Sequence, residues 1–156
     1  MNSGRSQAGM TLVEVLITVV ILASGLLGMA ALQTRSISYN NIAYLNSLSN
    51  ILAYDMLDRI KANPVYALNG PGYSASVGNA PAAYPNDCDT ADCTPAELAR
   101  YDIAQWKFIL DAQLPDSDGS IVKTDVPEGR NYTITIFFDD SKGQQTRRQV
   151  ILRSTL

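Results

Sequence analysis

Between residues 15 and 32 the chain runs for 18 residues without a charge, VLITVVILASGLLGMAAL, and the residue just before this run is an acid, Glu14. At 1.5 Å per helical residue the run spans roughly 27 Å, close to the ~30 Å hydrocarbon core of a bilayer. The core helix of a soluble domain shows a polar face. This run shows none, since Thr18, Ser24, Gly25 and Gly28 are its only breaks. The segment is therefore read as a transmembrane helix. A carboxylate beside it is expensive unless it reaches water or a partner, so Glu14 needs a reason to be there.

Composition narrows the chemistry. The chain has 156 residues, no histidine, two cysteines and a net charge of −3. Without histidine there is no imidazole for acid/base work, for activating a serine or cysteine, or for a metal site. A non-catalytic role without cofactor or metal is expected. No basic cluster is dense enough for nucleic acid. Arg147 and Arg148 form a lone pair, read as a solvated strand face.

The polar leader MNSGRSQAG, residues 1–9, holds Arg5 and no acid. An ordinary secretory signal ends its apolar region at a small-residue cleavage site, and the alternative of such a cut near Ala30–Ala31 stays open. Against it, the apolar run exceeds the usual ~7–15 residue core of such signals.

The stretch Gly9-Met10-Thr11-Leu12-Val13-Glu14 resembles the class III signal of type IV pilins and pseudopilins. The resemblance implies that prepilin peptidase cuts between Gly9 and Met10 on the cytoplasmic side, leaves the helix attached and N-methylates Met10. The family usually has phenylalanine at the position of Met10. Glu14 would then be the fifth mature residue. In a staggered bundle of such helices, one subunit's Glu14 meets a neighbour's new positive N-terminus. At low dielectric that pair is strongly favoured over two unpaired charges, so it sets register as one polar group does in a coiled coil. The plain alternative is an acid snorkelling at the membrane edge. Ser24 and Gly28 have a small-xxx-small spacing suited to close helix approach, although glycine is simply commoner in membrane helices.

The helical pattern continues beyond Leu32. No Gly or Pro occurs until Pro64, and Leu45, Leu48, Leu52, Met56 and Ile60 recur on one face. Asn46, Ser49, Asn50, Asp55, Asp58, Arg59 and Lys61 fill much of the remainder. Pro64 disfavours helix at Asn63 and ends it. One helix from about Met10 to Ala62 would measure roughly 80 Å. The end of this helix, DRIKANP from Asp58 to Pro64, resembles the signature of PilV-type minor pilins (type IV pilus modification proteins). Basic residues at a helix C-terminus are also what the helix dipole favours.

Residues 65–93 read as a long loop rich in Gly, Pro, Asn and Ser, with Tyr66, Tyr73 and Tyr84 as candidate anchors. Cys88 and Cys93 enclose four residues. With no further Cys or His this spacing is no zinc site, and in an oxidising compartment it reads as a local disulfide contributing about 2 kcal/mol. Thr94-Pro95-Ala96-Glu97 is a capping box with proline at the first helical position. It opens a helix over 94–114 with Ala99, Ile103, Trp106 and Leu110 as its core stripe. Its start also resembles PilV-type heads. Trp106 is read as packing. Asp116, Asp118 and Gly119 read as a turn, with a calcium site as the weaker alternative because the other oxygen ligands are missing. Asp87, Asp89 and Asp92 read as solvated. A sheet over 120–155 closes the head. It begins with a short strand from Ser120 to Lys123, then NYTITIFF with Tyr132, Ile134, Ile136 and Phe138 on one face. A turn at Asp140-Ser141-Lys142-Gly143 leads to a last strand with Val150 and Leu152 inward.

The fold class expected is α+β. The resemblance implies a pilin-like lollipop, with a long helix packed on a small antiparallel sheet and one extra helix. Its parts would be a leader at 1–9, an assembly helix at 10–32, an amphipathic half at 33–63 and a periplasmic head at 64–156. The resemblance further implies a single-pass inner-membrane protein with a cytoplasmic N-terminus that later enters the pilus. Its partners would be prepilin peptidase, other minor pilins, the major pilin and the inner-membrane assembly platform. Two alternatives remain, a minor pseudopilin of type II secretion and a membrane-anchored adhesin-like module.

Overall fold

The computed structural model describes residues 9–78, 80–141, 143 and 146–156. The leader up to residue 8, with Arg5, and Lys142 of the predicted turn lie outside the described residues. Helix α1 is Leu12–Ala62, followed by a single π-helical turn at Val65–Asn69. Helix α2 is Pro95–Gln113, and three strands follow: β1 (Asp118–Val126), β2 (Gly129–Phe138) and β3 (Arg148–Thr155). The sheet is antiparallel throughout in the order β1-β2-β3.

The chain divides into two compact units, Met1–Asn41 and Ile42–Leu156. In the first, every described residue from Gly9 to Asn41 is exposed. An 18-residue window of α1 has mean hydropathy 2.5 with none of it buried. An apolar surface of that extent is not left to water; it calls for lipid or other helices.

The second unit holds the core. From α1 it takes Leu45, Leu52, Met56 and Ile60, with Leu48 partly buried, as the apolar periodicity predicts. Ala53, Leu57 and Ser49 are buried too. Ser49 was expected among the polar positions. Its hydroxyl tolerates burial because it donates to the Leu45 carbonyl at 2.8 Å. From α2 come Ala99, Trp106 and Leu110, and Ile103 packs at the edge. β2 alternates as read from the sequence: Tyr132, Ile134, Ile136 and Phe138 are all fully buried. Val150 and Leu152 of β3 pack partly buried against them.

Two expectations needed correction. The first strand is not the short Ser120–Lys123 piece but all of Asp118–Val126. Its polar ends are held by the ladder to β2, from Asp118 opposite Phe137 to Val126 opposite Gly129. Residues 65–93 are not loop throughout. They open on the π-helical turn, and Ala75 bridges to Ile121 through two backbone hydrogen bonds of 3.0 and 2.8 Å.

Gly119 shows how tightly α2 lies on β1. A Cβ there would sit 2.2 Å from the Trp106 ring and 2.7 Å from Leu110 Cδ1. Gly119→Ala should therefore destabilise the second unit by about 1–3 kcal/mol through overpacking. The urea midpoint of the purified full chain measures it; an unchanged midpoint would contradict this packing.

Candidate functional site

The processing and assembly segment starts just outside α1. Gly9 and Met10 precede the helix and are exposed. Thr11 supports its first turn, where the Glu14 backbone N–H donates to the Thr11 carbonyl at 3.1 Å and to its hydroxyl at 3.3 Å. Glu14 thus stands in the first turn, where the helix dipole favours an acid. Its carboxylate has no partner among the described residues. Thr18 and Ser24 return their hydroxyls to the carbonyls of Val15 and Ile21, both at 2.8 Å, so they add little polarity to the helix surface. Glu14 is left as the only ionic group from Gly9 to Leu32.

The end of α1 is a structural knot in the head. Arg59 Nε donates to Asp55 at 2.9 Å, and its Nη1 reaches Asp102 at 3.5 Å and Gln105 Oε1. Asn63 is buried, and its Nδ2 donates to the Pro95 carbonyl at 2.7 Å and to the Tyr73 hydroxyl at 3.1 Å. The Tyr73 hydroxyl donates to Asp102 at 2.7 Å. Burial, and then that bond to Asp102, push the phenol well above its ordinary range. Arg59 and Asn63 of DRIKANP thus tie α1 to α2. Among the described residues Asp58 and Lys61 reach only each other, at 3.8 Å on the surface.

Gln105 went unremarked in the sequence, and Asp102 entered only as part of the head resemblance, yet both are buried. The signal that places them is their position on α2, flanking Ala99 and Trp106 at helical spacing. Lys107 was missed in the same way. It is buried and its ammonium meets the carbonyls of Ser76 and Gly78 and the Asp118 carboxylate at 3.4 Å. Asp102→Ala should cost about 2–3 kcal/mol, because it leaves the Tyr73 hydroxyl without its acceptor and removes one from Arg59. Thermal unfolding of the full chain tests this, and a loss under 1 kcal/mol would show that the knot is not cooperative.

Asp116, Asp118 and Asp89 are committed to protein groups. Asp116, at φ 43°, accepts two bonds from Arg147 at 2.6 and 2.7 Å. Asp118 accepts from the N–H groups of Gly78 and Gly119 as well as from Lys107. The turn expected over Asp116, Asp118 and Gly119 is confined to Pro115 and Asp116, because Asp118 and Gly119 already pair with Phe137 and Ile136 as the start of β1. No cluster of three or more metal-ligating side chains occurs among the described residues. Asp89 accepts from the Tyr101 hydroxyl, a bond that raises that phenol's pKa ahead of its burial. Cys88 and Cys93 are bridged, with Cα atoms 5.7 Å apart. Directly after the bridge the capping box is complete. The Glu97 carboxylate accepts from the Thr94 hydroxyl at 2.7 Å and from its N–H at 2.9 Å, and these bonds hold its pKa below the usual value.

No curated protein and no solved structure matches this chain. Two family models do. Residues 4–30 match the prokaryotic N-terminal methylation motif, which implies processing by prepilin peptidase. Residues 31–104 match the model described as type IV pilin Tt1218. The second match runs from the last residues of the apolar stretch through the knot and the disulfide into α2. Residues 31–104 are thus similar to the type IV pilin family of that model, and residues 4–30 are similar to the N-terminal methylation motif.

Proposed function

We propose that this chain is a minor pilin of the type IV pilus, of the PilV type, that works by polymerisation. Prepilin peptidase cuts between Gly9 and Met10 and methylates Met10. Residues 10–32 hold the protein in the inner membrane, with its N-terminus cytoplasmic and the head, residues 64–156, in the periplasm. The assembly platform then draws it into a complex with other minor pilins that primes the filament, and the major pilin extends it. The observation that carries this reading is the exposed carboxylate of Glu14, immediately before the uncharged run of residues 15–32 and inside the matched methylation motif. The DRIKANP sequence supports the pilus over a type II secretion pseudopilin.

The test is the intact mass of the protein extracted from membranes, with and without prepilin peptidase. A chain starting at N-methylated Met10 only when the peptidase is present is the expected result. A chain starting at Met1 in both cases, or near Ala31, would overturn the proposal. Co-purification with pilus rather than secretion components then tells the two machines apart.

A further inference from the structure

Residues 80–93 differ from the rest of the head. None of them is buried, and none belongs to the hydrophobic core. The chain on either side is firmly held. Before them, Tyr73 is fully buried, Ala75 is bridged to β1, and Lys107 holds the carbonyls of Ser76 and Gly78. After them, the Thr94–Glu97 capping box anchors the start of α2.

Between these anchors the segment rests on one face of α2 through a few side chains. The Tyr84 ring meets Phe108 edge-on, with centroids 5.5 Å apart and planes at 83°. Gln105 donates to the Tyr84 hydroxyl, and the Tyr101 hydroxyl donates to Asp89. The remaining constraint is covalent, the Cys88–Cys93 bridge. A cavity of about 600 Å³ lies between this bridged loop and the first turns of α2, lined by Pro85, Asp87, Cys88 and Asp92 on one side and Arg100 and Tyr101 on the other.

We propose that residues 80–93 form a redox-latched flap. With the bridge intact the flap covers the Tyr101–Gln105–Phe108 face of α2. With the bridge reduced it lifts while the core stays folded, and the head presents a different surface. The reductant is a dithiol. Its thiolate attacks one sulfur, the S–S bond breaks and a mixed disulfide forms. Its second thiolate then resolves that intermediate. Cys88 and Cys93 become thiols, each taking up a proton, and the dithiol leaves as a disulfide. Local opening of this kind is expected where few buried contacts and no backbone ladder hold a segment. The underside of the flap also meets the knot at the end of α1, because Gln105 accepts from Arg59 through its other side-chain atom. Lifting the flap frees the Gln105 amide to move without breaking the Arg59–Asp55 pair.

The experiment uses the full chain in detergent micelles, with and without a dithiol, and complete reduction is verified by alkylation mass. An endoprotease that cuts before aspartate reports on Asp87, Asp89 and Asp92. The emission of Trp106, the only tryptophan, reports on the core. Cleavage at Asp87–Asp92 should rise more than fivefold on reduction while Trp106 emission stays unchanged. The double variant Cys88→Ser, Cys93→Ser should cut at the reduced rate without dithiol. A rise of less than fivefold overturns the proposal. So does a red shift of Trp106 with equal new cleavage at Asp102, because the bridge would then hold the whole head rather than a flap.

Discussion

Glu14→Gln should leave membrane insertion intact and lower recovery of the protein in sheared filaments at least tenfold. The substitution keeps the shape of the side chain and removes its charge. In the lone subunit the change is cheap, because Glu14 is exposed at the start of α1 and has no partner among the described residues. In the proposed filament it is costly. There the carboxylate faces the positive N-terminus of a neighbour among apolar side chains, and two unit charges 4 Å apart attract by about 4 kcal/mol even at an effective dielectric of 20. Removing one partner of a desolvated pair leaves the other uncompensated, at a cost of about 3–5 kcal/mol. Immunoblots of membrane and sheared fractions from cells making either form measure both quantities. Equal recovery in filaments would remove the assembly role from Glu14 and leave the snorkelling explanation.

Trp106→Ala should be the most damaging single change in the head. The indole is fully buried, its Nε1–H donates to the Leu52 carbonyl at 2.9 Å, and its ring fills the space that Gly119 leaves open on β1. Truncation removes that packing and that bond together, at about 3–5 kcal/mol, a large share of the 5–15 kcal/mol typical of a whole domain. The thermal midpoint of the head should fall by roughly 10–20 °C, followed by far-UV circular dichroism of the full chain. Trp106→Phe, which keeps most of the volume and loses only the N–H, should fall less. A midpoint unchanged in Trp106→Ala would mean that α1 and α2 are joined chiefly by the polar knot.

Local chemistry made much of this fold legible. The capping box at Thr94, the alternation of Tyr132 to Phe138 and the stripe from Leu45 to Ile60 each depend on neighbours a few residues away, and each appears where the spacing puts it. Polar residues were harder to place. Asp102, Gln105 and Lys107 are polar or charged residues of a helix, yet they are buried because Arg59, Tyr73 and the carbonyls of Ser76 and Gly78 arrive from 29 to 46 residues away to satisfy them. No window of sequence contains both halves of such a pair. The same holds for β1, whose length is set by its partner strand rather than by its own modest apolar content.

The amino-acid order by itself determined the membrane-length apolar helix, the motif around Glu14 and the helix caps. These follow from hydrophobicity, charge and backbone rules that act within a few turns of chain. Only the tertiary structure decided that Arg59 and Asn63 of DRIKANP knot α1 to α2, that Tyr73 is a core residue donating to a buried aspartate, and that residues 80–93 lie outside the core behind a disulfide. The physical reason is that burying a polar group is favourable only when its partner is present, and those partners are supplied by distant segments once the chain has folded.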